Sequence, residues 1–232
     1  MAQLTGMDYI YNKNDTKVYN NQMGVYKTQR QLSFIQKFLK KGRLRILDVG
    51  GGNGRLALPL AALGHKLTVV DISDEALGML KAEGGPDIEC IQSDLMALEG
   101  PRDFDVVLTV DCVKYVNHAL LKEVFGKVHQ LLANDGTWIF SDMNAGSWRN
   151  HLRAWSGRRG TGYNIATASG YRAAVSEAGF KIAEMSGYCW MPLLFNSNSP
   201  LVPLFSTIEG TLALNKWISQ SPWLLIAARK NL

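Results

Sequence analysis

The sequence predicts an α/β protein built on a doubly wound, mostly parallel sheet, and three observations carry that expectation. Residues 44–60, LRILDVGGGNGRLALPL, run from an apolar strand (Leu44, Ile46, Leu47, Val49) through a glycine turn into helical spacing (Leu56, Ala57, Leu60, Ala61). A second apolar strand, Leu67, Val69 and Val70, ends in Asp71, about twenty residues beyond Gly50. A third run, FDVVLTV at 104–110, has the unbroken apolar character of a strand buried on both faces. Strand, glycine turn and helix together form a ligand cradle, because glycine lets the backbone approach a ligand closely and the helix start presents free N–H groups.

Spacing within the turn separates two classes of ligand. A dinucleotide fingerprint begun at Gly50 requires glycine at 50, 52 and 55, and position 55 is Arg55. The chain instead reads Asp48-x-Gly50-x-Gly52-x-Gly54. In that form, ILDVGGGNGRLA, it resembles the first motif of the class I S-adenosylmethionine-dependent methyltransferases. The resemblance implies a Rossmann-like, seven-stranded sheet with an antiparallel last strand, and S-adenosyl-L-methionine as cofactor. The plain alternative for the motif by itself is a turn that merely joins strand to helix.

The remaining elements follow in order. Residues 1–26 are polar and rich in tyrosine, and 28–40 carry Leu32, Phe34, Ile35, Phe38 and Leu39 as an amphipathic helix stopped by Gly42. In the family such a leader (here 1–40) folds over the cofactor as a lid. Asp71 stands where an ionised carboxylate accepts both ribose hydroxyls, with Ile72 beside it. Ser73 then caps a helix through Lys81. After the strand at 88–91, the resemblance puts Asp94 against the adenine amino group, with Leu95 next to it. The strand at 104–110 matches the family's fourth, whose end, Thr109 and Val110, faces the methyl group. A helix over 118–132, a turn at Asn134-Asp135-Gly136 and a strand at 137–142 come next, then a helix over 168–178, ended by Gly179, and a strand opening at Phe180. The run at 223–230 looks like the antiparallel seventh strand.

Two inserts, 143–166 and 190–221, are expected to cover the acceptor. The first starts at the carboxyl edge of the sheet, so Trp148, His151 and Tyr163 can reach the methyl donor. The second is expected to start at the opposite edge and fold back over the pocket. It carries Leu193, Leu194, Phe195, Leu201, Leu204 and Phe205, and Pro192, Pro200 and Pro203 forbid a long helix in it. Packing on a helix or forming a homodimer contact is the competing role.

Composition sets the outer bounds. With 232 residues, 47% hydrophobic and 19% charged, the chain fits one globular domain over 1–232. Cys90, Cys112 and Cys189 lack metal-ligand spacing and read as reduced thiols, so no metal is expected. The sequence has neither a signal-peptide core nor 18 consecutive apolar residues, which predicts a cytoplasmic protein without a membrane span. Net charge is +5, and residues 16–47 and 143–176 contain no acid. Such stretches suit an anionic acceptor or a nucleic-acid backbone, or simply a solvated face.

The acceptor is the least legible part. The chain lacks both the N-P-P-Y or D-P-P-Y of nucleic-acid amino-methyltransferases and the Pro-Cys pair of cytosine C5 enzymes, since Cys112 follows Asp111. Those departures argue against nucleic acid and for a small molecule, anionic or partly apolar, with an oxygen or nitrogen nucleophile. A natural product, a peptide or an anionic metabolite fits that description. An RNA methyltransferase and a non-catalytic cofactor-binding subunit remain as alternatives. Where the acceptor must lose a proton, His151 ranks first as base because imidazole titrates near neutrality, followed by Asp142, Lys114 and Tyr115. His118 and His129 read as surface residues, and His65 as a turn residue at the far edge.

Overall fold

The computed structural model of the chain describes residues 21–100, 103–117, 120–156, 165–193 and 197–231. Residues 1–20 of the expected lid, His118, Tyr163, Leu194 and Phe195 lie outside them. The described chain forms α1 (Gln22–Gln36), β1 (Arg45–Val49), α2 (Ala57–Ala62), β2 (Lys66–Asp71), α3 (Asp74–Glu83), β3 (Ile88–Gln92) and β4 (Phe104–Val110). It continues through α4 (Leu121–Leu131), β5 (Leu132–Met143), α5 (Trp148–Trp155), α6 (Ala168–Glu177), β6 (Phe180–Tyr188), α7 (Val202–Thr211) and β7 (Trp223–Lys230). The seven strands lie in the order β3-β2-β1-β4-β5-β7-β6. Strands β1 to β5 are mutually parallel, and β7 runs antiparallel between β5 and β6.

Side-chain alternation along the strands feeds two separate cores. One face packs Ile46, Leu67, Leu108, Ile139 and Leu225 against Phe34 and Ile35 of α1, Leu60 of α2 and Leu77 and Leu80 of α3. The other packs Leu47, Val107, Phe140 and Ile226 against Phe125 and Val128 of α4 and Tyr171 and Val175 of α6. Trp138 centres the second core, 4.6 Å from the Phe125 ring, 4.4 Å from Phe140 and 5.0 Å from Phe180. Each such ring pair adds about 0.5–1.5 kcal/mol beyond its area burial.

Helix starts follow local chemistry. The Asn21 side chain accepts from Gly24 N at 2.9 Å, so α1 begins at Gln22 rather than at 28 and ends before residue 40. Ser73 and Thr167 cap α3 and α6 in the same way. The Asn134-Asp135-Gly136 turn is an irregularity inside β5, where pairing with β4 jumps from Phe104↔Leu132 to Val106↔Thr137. His129 is half-buried against the Phe180 ring instead of standing free in solvent. His65 is buried and accepts the Leu44 amide at 3.3 Å.

One expectation is corrected by topology. Both β5 and β6 are antiparallel to β7, so β6 is parallel to β5, and Tyr188, Trp223 and Met143 lie level in the register. The 190–221 insert therefore leaves β6 at the carboxyl edge and needs no return path. Pro203 stands in the first turn of α7, where its missing N–H costs nothing, so it starts a helix rather than breaking one. α7 packs on α1 through Glu209, which is buried and accepts from the Tyr26 hydroxyl at 2.6 Å and the Trp190 amide at 3.3 Å. Arg30 of α1 approaches its other oxygen at 3.6 Å, and Met23 N donates to Ser197 O at 3.1 Å. The start of α1 and the insert thus meet beside the carboxyl ends of the strands, while the rest of α1 lies along one face of the sheet.

Candidate functional site

The glycine turn leaves β1 at the carboxyl edge, anchored by Gly50 N donating to Val70 O at 2.7 Å. A Cβ at Gly51 would lie 2.7 Å from Asp48 Oδ2, so the turn closes directly over that carboxylate. Gly52 has φ +55, and a Cβ there would meet only Asp71 Oδ2 at 3.9 Å. Its free side is where a ligand can approach the backbone. Gly54, φ +83, packs so tightly on Leu80 that a Cβ there would overlap its side chain.

The acids expected around this cradle are placed by backbone amides. Asp71 Oδ2 accepts Gly52 N and Oδ1 accepts Ser73 N, both at 2.9 Å. Each oxygen keeps a second lone pair for a ligand hydroxyl. Asp94 Oδ1 accepts Met96 N at 2.7 Å and Ala97 N at 2.9 Å, which holds the carboxylate at the end of β3. Ile72 is 42% exposed beside Asp71, and Leu95 is half-buried beside Asp94. Asp48 is buried beneath the turn, and its Oδ2 has no hydrogen-bond partner among the described residues. Burial pushes its pKa up to about 7, with Arg55 opposing and Asp71 reinforcing the rise.

Thr109 and Val110 divide by side. Val110 packs in the α1 core, whereas the Thr109 hydroxyl accepts from Trp138 Nε1 at 2.9 Å in the opposite core. Only the Thr109 backbone is left for a ligand.

Beyond β4 lies a cluster that the sequence did not single out. Asp111 follows the strand with a left-handed φ of 63° and is buried. Its Oδ1 accepts from Ser141 Oγ at 2.7 Å. Its Oδ2 takes Gln31 Nε2 at 3.0 Å, Lys27 Nζ at 3.2 Å and Arg55 Nη2 at 3.4 Å. Lys114 Nζ donates to the Asp111 carbonyl at 2.6 Å. Burial by itself would raise the pKa of Asp111, but Lys27, Lys114 and Arg55 outweigh it and hold the carboxyl well below the usual range. Gln31 also donates to the Tyr188 hydroxyl at 2.9 Å, and Lys27 Nζ sits 3.7 Å from the Trp223 ring centre. Arg55 joins this cluster to the glycine turn by donating to Thr28 Oγ1 at 3.0 Å and Gln31 Oε1 at 2.5 Å.

The expected bases occupy different environments. His151 is exposed on α5. Tyr115 is half-buried, with Lys114 Nζ 4.8 Å from its ring centre. Asp142 is fully buried, and alternation from Ser141 turns it away from α1 towards the second core. Its Oδ1 accepts Met143 N at 2.6 Å. Burial raises its pKa to about 7 despite Lys114 nearby. A cleft of about 470 Å³ between residues 96–100 and the end of α4 has none of these residues in its wall.

The raised carboxyl fixes a pH dependence. Asp142 stays protonated in the folded chain up to about pH 7 but is ionised above about pH 4 once unfolded. The folded state therefore binds more protons between those values, and stability falls as pH rises through that window. Asp142→Asn cannot ionise, so its thermal midpoint should exceed that of the wild type by several degrees at pH 8 and match it below about pH 4. Parallel midpoint curves for the two proteins would refute a buried, neutral Asp142.

Comparison with known proteins agrees with this architecture. Residues 20–185 match the family described as Methyltransferase domain. A Geobacillus sp. (strain WCH70) protein carrying a methyltransferase name is 37% identical over 117 residues, and the match spans 47% of each chain. The ubiquinone biosynthesis O-methyltransferase of Burkholderia pseudomallei is 26% identical over 178 residues, 70% of this chain and 75% of that protein. Among solved structures, the Burkholderia thailandensis 1,6-didemethyltoxoflavin-N1-methyltransferase, bound to its substrate and S-adenosylhomocysteine, superposes with TM-score 0.67 at 16% identity, covering 100% of this chain and 92% of that one. The magnesium protoporphyrin IX methyltransferase of Synechocystis, with bound S-adenosylhomocysteine, gives TM-score 0.65 at 16% identity over 97% and 90% of the chains. With its strand order and Asp48-to-Gly54 turn, the chain belongs to the methyltransferase-domain family, among the class I S-adenosylmethionine-dependent enzymes.

Proposed function

We propose that this protein transfers the methyl group of S-adenosylmethionine to an oxygen or nitrogen of a small-molecule acceptor seated over the carboxyl ends of β4, β5 and β6. The observation that carries the reading is the polar cluster at Asp111, set beside the glycine cradle and flanked by α1 and the 190–221 insert. A site flanked in this way favours a small acceptor over a nucleic-acid strand. The O-methyltransferase and N-methyltransferase names among the relatives point to the same acceptor atoms. The unpaired thiols of Cys90, Cys112 and Cys189 support a reducing, cytoplasmic setting.

The cofactor's chemistry fits the residues present. The open side of Gly52, the lone pairs of Asp71 and the orphaned Asp48 oxygen suit a ligand with both a sugar diol and an ammonium group. In this reading Asp48, Gly50, Gly52 and Gly54 surround the amino-acid end. Asp71 takes the ribose hydroxyls, Ile72 and Leu95 flank the base, and Asp94 accepts its amino group. The backbone of Thr109 and Val110 borders the reacting end. The bound cofactor supplies an already activated methyl group on a sulfonium.

What remains for the protein is to position the acceptor, exclude water and, for a protonated nucleophile, remove a proton. Lys27, Gln31 and Ser141, buried around Asp111, back the acceptor side and give it a cationic, hydrogen-bonding character. The Tyr188 and Trp223 rings give the same wall apolar area. We assign the base to His151, with Tyr115 bordering the acceptor and Asp142 acting through Lys114.

Asp71→Ala should abolish measurable S-adenosylhomocysteine binding by calorimetry while leaving the circular dichroism spectrum unchanged. Each lost hydroxyl acceptor costs about 1–3 kcal/mol. Unchanged affinity would remove Asp71 from the site, and a clear NAD titration of the wild type would revive the dinucleotide alternative. With a phenol, amine and carboxylate panel and radiolabelled methyl donor, His151→Ala should lower turnover about 10²–10⁴-fold at unchanged cofactor affinity. Turnover within about threefold of wild type would point instead to an acceptor that needs no base.

A further inference from the structure

Arg55 stands where a dinucleotide fingerprint would need glycine, and its side chain runs from the glycine turn to α1. The guanidinium donates to Thr28 Oγ1 at 3.0 Å, to Gln31 Oε1 at 2.5 Å and to Asp111 Oδ2 at 3.4 Å. The methyl-transfer reading gives it no part in holding either ligand. Yet burial raises the pKa of Asp48 and the Arg55 charge opposes that rise, so the same guanidinium acts on the carboxylate beneath the turn. One side chain therefore faces both the donor cradle and the helix beside the acceptor.

Arg55 also decides how Gln31 lies. A guanidinium offers donors only, and an ionised carboxylate acceptors only. The buried Gln31 amide, set between Arg55 and Asp111, satisfies both with its oxygen on Arg55 and its nitrogen on Asp111. The reverse orientation would point its NH2 at the guanidinium and its oxygen at the carboxylate. With the nitrogen so placed, its second hydrogen goes to Tyr188 Oη at 2.9 Å, with Ser141 Oγ at 3.3 Å. Gln31 thereby ties α1 to the ends of β4, β5 and β6. Being fully buried, it acts through its neighbours and not on a ligand. A ligand against the open side of Gly52 would restrain the turn from which Arg55 extends, so that the guanidinium loses less freedom in holding Thr28 and Gln31. By linkage, any strength the cofactor adds to that hold returns as cofactor affinity.

We infer that Arg55 and Gln31 are positioning residues, through which filling of the glycine cradle tightens α1 and the Tyr188 side of the acceptor wall. The inference rests on the reading of the cradle as the methyl-donor site. Its test is amide exchange of the full chain, with and without S-adenosylhomocysteine, followed over α1. In the wild type the ligand should slow α1 exchange about fivefold or more. Gln31→Leu and Arg55→Met should each lose that slowing, and Arg55→Lys, which keeps the charge without the planar fork, should restore only part of it. Calorimetry should show S-adenosylhomocysteine binding weakened about fivefold or more by Gln31→Leu, although Gln31 lies outside the cradle. The two changes combined should weaken binding no further than Arg55→Met by itself. A merely structural Gln31 would instead speed α1 exchange equally with and without ligand, leaving the ratio of the two rates as in wild type. That unchanged ratio overturns the inference. So does a wild type that binds S-adenosylhomocysteine without slowing α1 exchange, an outcome that needs no variant to fold. A wild type that does not bind S-adenosylhomocysteine would remove the methyl-donor reading itself, and the inference with it.

Discussion

Asp111 is a carboxylate taken out of water at the end of a central strand, and its burial is tolerable only because cations and hydrogen bonds surround it. Lys27 and Gln31 come from α1, Arg55 from the glycine turn, Ser141 from β5 and Lys114 from the turn after β4. Helix α1, the glycine turn, β5 and the turn after β4 are thereby tied to one side chain. Breaking a buried pair by removing one partner leaves an uncompensated charge and costs about 3–5 kcal/mol. The left-handed backbone at Asp111 adds strain that the surrounding bonds must offset. Such an arrangement buys little stability over an apolar core of the same volume, but it fixes where α1 sits relative to β4 and β5.

That placement matters for methyl transfer. In the proposed reaction the cradle on β1, β2 and β3 would position the donor, with the Asp111 cluster as the neighbouring wall at the ends of β4 and β5. Arg55 belongs to both. Displacing α1 would therefore disturb the glycine turn as well as the wall, which couples α1 to cradle without any distant relay. Glu209 ties the start of α1 to the insert by holding Tyr26 and the Trp190 amide. α1 is thus held by polar bonds through Asp111 and Glu209 and by its own apolar residues Phe34 and Ile35 in the core on that face of the sheet.

How much of this was legible in the sequence depended on the range of the interactions. Asp48, the glycine turn and Asp71 lie within one strand-turn-helix-strand unit, so their spacing alone showed the cradle. The cap at Thr167 is a local signal at the expected start of α6, whereas the cap at Asn21 starts α1 at Gln22, ahead of the expected residue 28. The Asp111 cluster was not legible, because Asp111 meets Lys27 across 84 residues and Gln31 meets Tyr188 across 157. No spacing rule reaches that far. Thr109 looked like a site residue from its place at a strand end, but alternation sent its hydroxyl to Trp138. The insert was expected at the wrong edge because the direction of β6 follows from its pairing with β7, which sequence patterns do not report.

The central claim is that α1 is fixed to the sheet through the Lys27–Asp111 pair, and a double-mutant cycle tests it most directly. Lys27→Met, Asp111→Asn and the double variant would be unfolded in urea, with amide exchange of α1 followed in parallel. The account predicts faster α1 exchange in both single variants, and a double variant less destabilised than the sum of the singles by about 0.5–3 kcal/mol. Additivity within about 0.5 kcal/mol, together with unchanged α1 exchange, would contradict it.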